Sequence, residues 1–357
     1  MRDYTGKTVF VGVDVHKRTY AVTCICEGEV AKRDSLKAEP GGLVAYLRKY
    51  FVNGKIKTVY EAGFSGFALH RYLLNEGIEN VVVHAASVEI SSRDRVKTDK
   101  RDSLKLALQL STGRLKGIHV PTVEREGYRE MSRLREKIAK DKRRTGTRIK
   151  SLLYRMGLIA AEEVKVVSKK WLEKVCEYAC DPSIKRCIEM YKKEWLGLSD
   201  RLKEIDGMLS EQAQADKELE IVYRSVPGIG PVHARALANE LGNMEQFSNE
   251  KKLFSFTGLT PSEYSSGDNV RQGHISRQGR SILRKTLVQA AWRAISLDKS
   301  LRAIYERISF KSGKKRAIVG VARRLIGQIR SCFKDGQLYQ LRKMEEICLE
   351  TGEIAVL

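Results

Sequence analysis

Thr8-Val-Phe-Val-Gly-Val-Asp14-Val15 is a nearly continuous apolar run with a single acid inside it. Such a run reads as a strand buried on both faces, the pattern of an inner strand in an α/β sheet. The short turn His16-Lys17-Arg18 leads into a second run, Thr19 to Cys26, which suggests a hairpin partner. Further on the pattern alternates. A helix is expected over Gly41–Tyr50, a strand over Lys57–Tyr60 that delivers Glu61, a helix over Phe67–Glu76 and a strand over Asn80–His84. Helical periodicity returns from Thr98 to Leu110, with Leu104, Ala107 and Leu108 on one side. Residues 1–121 are therefore expected to form an α/β domain.

Residues 122–215 change to long charged helices. Ile184, Ile188, Tyr191, Trp195, Leu198, Leu202, Ile205 and Leu209 form an unbroken heptad seam, the signature of a coiled coil. A second stripe, Met131, Leu134, Ile138, Ile149, Leu152 and Met156, could cover it within the chain, and pairing with another chain is equally allowed. A mostly helical third region is expected over 216–340, with later helices at Ala290–Ile308 and Ala317–Phe333 and an uninterpreted tail over 341–357.

The formal net charge is +22, which would be self-repelling unless a polyanion shares it. Hydrophobic residues make up 42%, enough for a real core and against wholesale disorder. No apolar run approaches a membrane-spanning length, and the N-terminus lacks the order of a signal peptide. Seven cysteines, an odd number, fit free thiols in a reducing cytoplasm. Cys24 and Cys26, or Cys176 and Cys180, match zinc spacings only weakly.

Four acids occupy positions that matter chemically. A lone charge at Asp14, inside the first strand, costs several kcal/mol without a partner, on the order expected for a buried ion. Glu61 sits just past a strand end, and Asp99 and Asp102 share one face of a first helical turn. Strand ends and helix N-termini converge on one edge of an α/β sheet. Oxygen ligands there suit Mg2+ or Mn2+, and paired ions can stabilise both oxygens of a phosphoryl transfer. Asp99 and Asp102 could instead simply favour a helix N-terminus. His16 has this site within reach, although a solvated turn histidine is the simpler account.

Toward the C-terminus, Gly258-Leu-Thr-Pro261-Ser-Glu-Tyr264-Ser265-Ser266-Gly267 continues into Gly273-His-Ile-Ser-Arg277-Gln-Gly279-Arg280-Ser-Ile-Leu283-Arg284. This is a Gly-rich, hydroxyl-rich loop feeding a basic helix, and Arg271, Arg277, Arg280 and Arg284 are what a phosphate-binding surface requires. A hydroxyl nucleophile beside such a cluster could attack a phosphodiester. By spacing alone an ordinary Ser-Ser-Gly turn accounts for it as well. Val226-Pro-Gly228-Ile-Gly230-Pro-Val-His-Ala234 fits a helix-hairpin-helix turn, whose two glycines would let backbone N–H groups approach a phosphate.

Val-Gly-Val-Asp14-Val-His-Lys, Tyr-Glu61-Ala-Gly and Lys-Thr-Asp99-Lys-Arg-Asp102-Ser-Leu-Lys-Leu-Ala, in that order, resemble the DEDD transposases of the insertion sequence 110 family. The 258–284 segment resembles the C-terminal domain of the same family. The resemblance implies a RuvC-like domain of the ribonuclease H type, with Asp14, Glu61, Asp99 and Asp102 as metal ligands for Mg2+ or Mn2+. It maps the family's catalytic serine onto Ser266, with Ser265 the adjacent alternative, and implies a composite site shared between subunits. A structured guide RNA, donor and target DNA, and a homo-oligomer (dimer or tetramer) are the implied partners. Ser103 stands where the family more often has Ala, Arg277 where Lys is commoner, and Arg280 where Asn is frequent. Tyr264 could act as a nucleophile in a different recombinase chemistry, but nothing beside it would activate a phenol. The competing readings are a metal-dependent junction nuclease that uses water and a non-catalytic nucleic-acid-binding protein.

Overall fold

A computed structural model describes residues 3–89, 98–160, 166–178, 181–264 and 272–341. The chain divides into two compact units, Met1–Pro121 and Thr122–Leu357.

The first unit holds β1 (Thr8–Val15), β2 (Thr19–Cys26), β3 (Glu29–Lys37), α1 (Pro40–Tyr50), β4 (Lys55–Glu61), α2 (Ala68–Asn75), β5 (Glu79–Val83) and α3 (Asp99–Ser111). Its five-stranded sheet runs β3-β2-β1-β4-β5, with β1 antiparallel to β2 and parallel to β4. This mixed sheet is consistent with the ribonuclease H type. Val9, Val11 and Val13 point into one core with Leu43, Leu47 and Leu73. Gly12 and Asp14, on the alternate positions, point to the other face, which α3 covers. A Cβ on Gly12 would lie 2.0 Å from the Ser103 carbonyl oxygen and 2.6 Å from the Ala107 nitrogen, so only glycine admits the helix at this distance. Beneath α3 the buried Ser103 and Thr23 hydroxyls hydrogen-bond at 2.8 Å. The serine that replaces the family's commoner alanine is therefore satisfied, as a buried polar group must be.

β3 is the element that sequence periodicity did not single out. In EVAKRDSLK the half-buried positions Lys32, Asp34 and Leu36 alternate with exposed ones, but two of the three are charged, so no apolar period of two shows in the sequence. Charged edge strands of this kind are how sheets blunt an open edge. It is tied to the sheet by its pairing with β2 and by the Tyr46 hydroxyl, which donates to Asp34 at 2.6 Å.

The second unit begins with α4 (Val123–Arg155), α5 (Lys169–Val175) and α6 (Pro182–Ala215). Pro182 occupies the first turn of α6, and the Asp181 side chain accepts from the Ser183 and Ile184 N–H groups at 2.9 Å. Arg135 pairs with Asp206 near one end of the α4–α6 contact and Thr145 bonds Glu194 near the other, so the two helices run antiparallel. Ile149, Leu152, Leu153, Ile188 and Trp195 share one core. Helix α4 thus packs on the Ile184–Trp195 part of the seam within the chain, while Leu134 and Met156 of the second stripe stay exposed.

Then follow α7 (Lys217–Ser225), α8 (Pro231–Leu241), α9 (Glu250–Thr257), β6 (Pro261–Glu263), β7 (Gln272–Ile275), α10 (Ser281–Ala294), α11 (Lys299–Ser312) and α12 (Lys314–Asp335). The helix expected over Ala290–Ile308 is two helices, because Asp298 caps the start of α11 by accepting from Ser300 and Leu301 N–H groups. The buried Glu240 of α8 receives Arg133 of α4 at 2.8 Å, and Arg129 donates to the Asn239 and Glu240 carbonyls. Removing one partner from such a buried pair costs roughly 3–5 kcal/mol. Beyond α12, Tyr339 donates its hydroxyl to Asp298 at 2.5 Å.

Candidate functional site

Asp14 reaches the sheet edge because β1 is one residue from its end there. Val13 is in register with Tyr60 of the parallel β4, so Asp14 and Glu61 are the next residues on adjacent strands and face the same side. The helix that Gly12 admits brings Asp99 and Asp102, in its first turn, to that side. The tight β1–β2 turn, closed by the His16 N–H bonding to the Thr19 carbonyl at 2.9 Å, returns His16 to the same place.

The result is a cluster in which Asp14, His16 and Asp99 each offer a ligand atom, all within 4.8 Å of one another. His16 Nε2 lies 3.1 Å from Asp14 Oδ2 and 3.2 Å from Asp99 Oδ2. The solvated turn histidine expected from sequence is instead set between two carboxylates, although its side chain keeps 41% of its exposure. Spacing on the strand indicated its reach. Which carboxylates it meets depends on α3, far away in sequence. Asp102 and Glu61 stand outside the 4.8 Å cluster. Asp102 pairs with Lys105 at 3.7 Å yet remains close enough to act on Asp14. Burial raises the Asp14 pKa, His16 opposes the rise, and the Asp102 and Asp99 carboxylates add to it. Crowded, partly desolvated carboxylates of this kind are what a divalent cation relieves.

Cys24 sits in the core beneath β2 with its thiol pushed up to about 12, chiefly by burial and then by Asp34.

In the second unit Cys180, Ser265, Ser266, Arg271 and the tail beyond residue 341 lie outside the described residues. The elements on either side of the serines in sequence, β6 and β7, pair antiparallel, Pro261 opposite Ile275 and Glu263 opposite Gln272. At the base of this pair the backbones of Gly258 and Gly279 pass so close that a Cβ on Gly279 would lie 2.1 Å from the Phe256 carbonyl oxygen. Arg284 is drawn into the same base, donating to the Gly279 and Thr257 carbonyls. Its guanidinium is therefore committed to holding the loop, whereas Arg277 and Arg280 are exposed. Arg280 Nε approaches Glu240 at 3.6 Å. Gly228 has φ +85°, and a Cβ there would lie 2.4 Å from the Ala290 carbonyl oxygen, so the α7–α8 turn packs its first glycine on α10. Gly230, the residue before α8, has open space around it.

A family model for a DEDD transposase matches residues 11–157, and one described as the transposase IS116/IS110/IS902 family matches residues 222–306. The chain is 24% identical over 348 residues to the transposase for insertion sequence element IS1533 of Leptospira borgpetersenii, covering 93% of this chain and 97% of that protein. It is 25% identical over 309 residues to the transposase for insertion sequence element IS1111A of Coxiella burnetii, covering 85% and 80%. Two family models match the two halves of the chain in turn, and the aligned relatives are transposases of insertion elements, so the chain is similar along most of its length to the DEDD transposases of IS110/IS116-type elements.

Proposed function

We propose that this transposase cuts and rejoins DNA through a serine–phosphodiester intermediate, with Asp14, Glu61, Asp99 and Asp102 holding Mg2+ or Mn2+. The observation that carries the metal reading is the gathering of Asp14, His16 and Asp99 within 4.8 Å. The donor set fits a hard divalent cation, since carboxylate oxygens predominate. Such an ion supplies charge to a phosphate in transfer and orients its oxygens. Asp14 and Glu61, carried on strands, and Asp99 and Asp102, carried on one helix face, fix where that phosphate is held. His16 Nε2 stands between the Asp14 and Asp99 carboxylates, 3.1 and 3.2 Å from them.

The nucleophile in this reading is the Ser266 hydroxyl, with Ser265 the alternative. Its oxygen bonds to phosphorus while one P–O bond to deoxyribose breaks, and the freed sugar oxygen takes up a proton. Attack by a second strand's hydroxyl reverses the step and releases the serine, so no nucleotide or redox cofactor is consumed. Arg271, Arg277 and Arg280 supply phosphate contacts in this reading. A structured RNA encoded by the element guides donor and target DNA together, and the +22 charge supports a protein that shares its field with polyanions. A two-ended exchange requires more than one active centre, hence a homo-oligomer.

Incubating the full chain with supercoiled DNA, the element's non-coding RNA and Mg2+ should leave protein covalently attached to DNA on denaturing gels. Ser266→Ala should abolish the adduct and Ser265→Ala should keep it. An adduct that survives Ser266→Ala removes the assignment. Cleavage without any adduct favours a water-using nuclease built on the same acids.

A further inference from the structure

The α11–α12 hairpin ends in a feature that neither the acids nor the serine account for. Phe310 is 93% exposed at the end of α11. Residues 311–316 are all exposed, and Lys311, Lys314, Lys315 and Arg316 lie among them. From Arg307 to Lys334 the sequence has nine basic residues and no Asp or Glu.

Phe310 is not a displaced core residue. The core side of α11 is already supplied by Leu301, Ile304, Tyr305 and Ile308, the last lying against Gly320 of α12. Phe310 comes two residues after Ile308, about 200° further round the helix, and so belongs to the outer face. The basic residues also sit against local preference. Lys314, Lys315 and Arg316 fill the first turn of α12, where no acid stands and the helix dipole disfavours cations. A nucleic acid offsets both costs, its phosphates the charge and an unpaired base the exposed ring. A second copy of this hairpin could cover the ring but would bring like charge against like.

We infer that this tip is a DNA contact in which Phe310 stacks on an unpaired base and Lys311, Lys314, Lys315 and Arg316 hold the flanking phosphates. Aromatic stacking between base steps within a basic surface is a recurrent mode of binding distorted or single-stranded DNA. Strand exchange necessarily passes through unpaired DNA, and this surface would hold it. The inference rests on the chain's working on DNA, and it is independent of the serine and metal assignments.

The test is binding of the full chain to a fluorescently labelled DNA duplex with a central unpaired bubble, to the same duplex fully paired, and to an RNA bubble of the same sequence. Phe310→Ala should bind the DNA bubble about tenfold more weakly, with the salt slope unchanged and the paired duplex little affected. Phe310→Trp should retain binding and Phe310→Leu should not. Lys314→Ala with Lys315→Ala should weaken all DNA binding and flatten the log–log salt slope by roughly one for each phosphate no longer neutralised. Met190→Ala, an exposed apolar residue on α6, is the control and should change nothing. Wild-type affinity of Phe310→Ala for the bubble overturns the inference, as does full rescue by leucine. So does a loss confined to the RNA bubble, or a change in sedimentation of Phe310→Ala that marks a protein partner. If the unchanged chain binds no DNA, this inference and the proposed function both fall. If it binds and only the phenylalanine is silent, the inference alone falls.

Discussion

Gly12→Ala is the perturbation that best separates fold from chemistry, since it adds one methyl group and removes no functional atom. The new Cβ would stand 2.0 Å from the Ser103 carbonyl oxygen, against 3.4 Å or more for ordinary contact. Both Ser103 and Ala107 would be met through their backbone, so no side chain can swing away. Helix α3 must withdraw by more than about 1 Å, a distance over which packed atoms lose much of their mutual attraction. Overpacking of this kind costs roughly 1–3 kcal/mol. The buried Thr23–Ser103 hydrogen bond would lengthen with it, adding about 1 kcal/mol. Because α3 carries Asp99 and Asp102, the same shift draws both acids away from Asp14. Hydrogen exchange read at peptide level should then show loosening of 8–15 and 99–111, with the second unit unchanged, and Mn2+ binding followed by electron paramagnetic resonance should weaken. Gly197→Ala on α6 is the matched control, because nothing lies within 4 Å of its Cβ position. There the change should stabilise by about 0.5–1 kcal/mol. Unchanged exchange in α3 and unchanged Mn2+ affinity for Gly12→Ala would refute the claim that this glycine places the acids.

Two further outcomes test the site and the second unit. Asp14→Asn removes a partly buried charge from beside Asp99 and Asp102, so in EDTA it should stabilise the first unit, by about 0.5–1 kcal/mol after solvent screening. The same variant should lose the rise in melting temperature that Mn2+ gives the wild type, and a retained rise would count against Asp14 as a ligand. Tyr339→Phe tests Asp298, whose burial would raise its pKa but whose hydrogen bonds from Tyr339, Ser300 and the Leu301 N–H hold it below the usual carboxylate range. A depressed carboxylate stabilises above its unfolded pKa and loses that contribution as pH falls through the folded value. The variant should therefore cost about 1.5–3 kcal/mol near neutrality. That cost should shrink below about pH 4, and denaturant unfolding giving an equal cost at both pH values would contradict it.

What was legible in the sequence was what neighbours along the chain decide. The apolar run of β1, the acid within it, the first-turn acids of α3 and the heptad seam of α6 all announce themselves through a period of two or of three and a half. So does the ordered set of motifs that carries the family. Strand β3 stayed hidden because two of its three inward residues, Lys32 and Asp34, are charged, which leaves no apolar period to read. Only the tertiary structure decided that His16 lies between Asp14 and Asp99, that Gly12 and Gly228 serve close helix approach, and that Arg284 is held by loop carbonyls. It also decided that α4 packs on the Ile184–Trp195 part of the α6 seam within the chain. Each of these depends on sheet register or helix packing between residues far apart in sequence. Those distances are set by how side chains fill a shared core, and no local spacing encodes them.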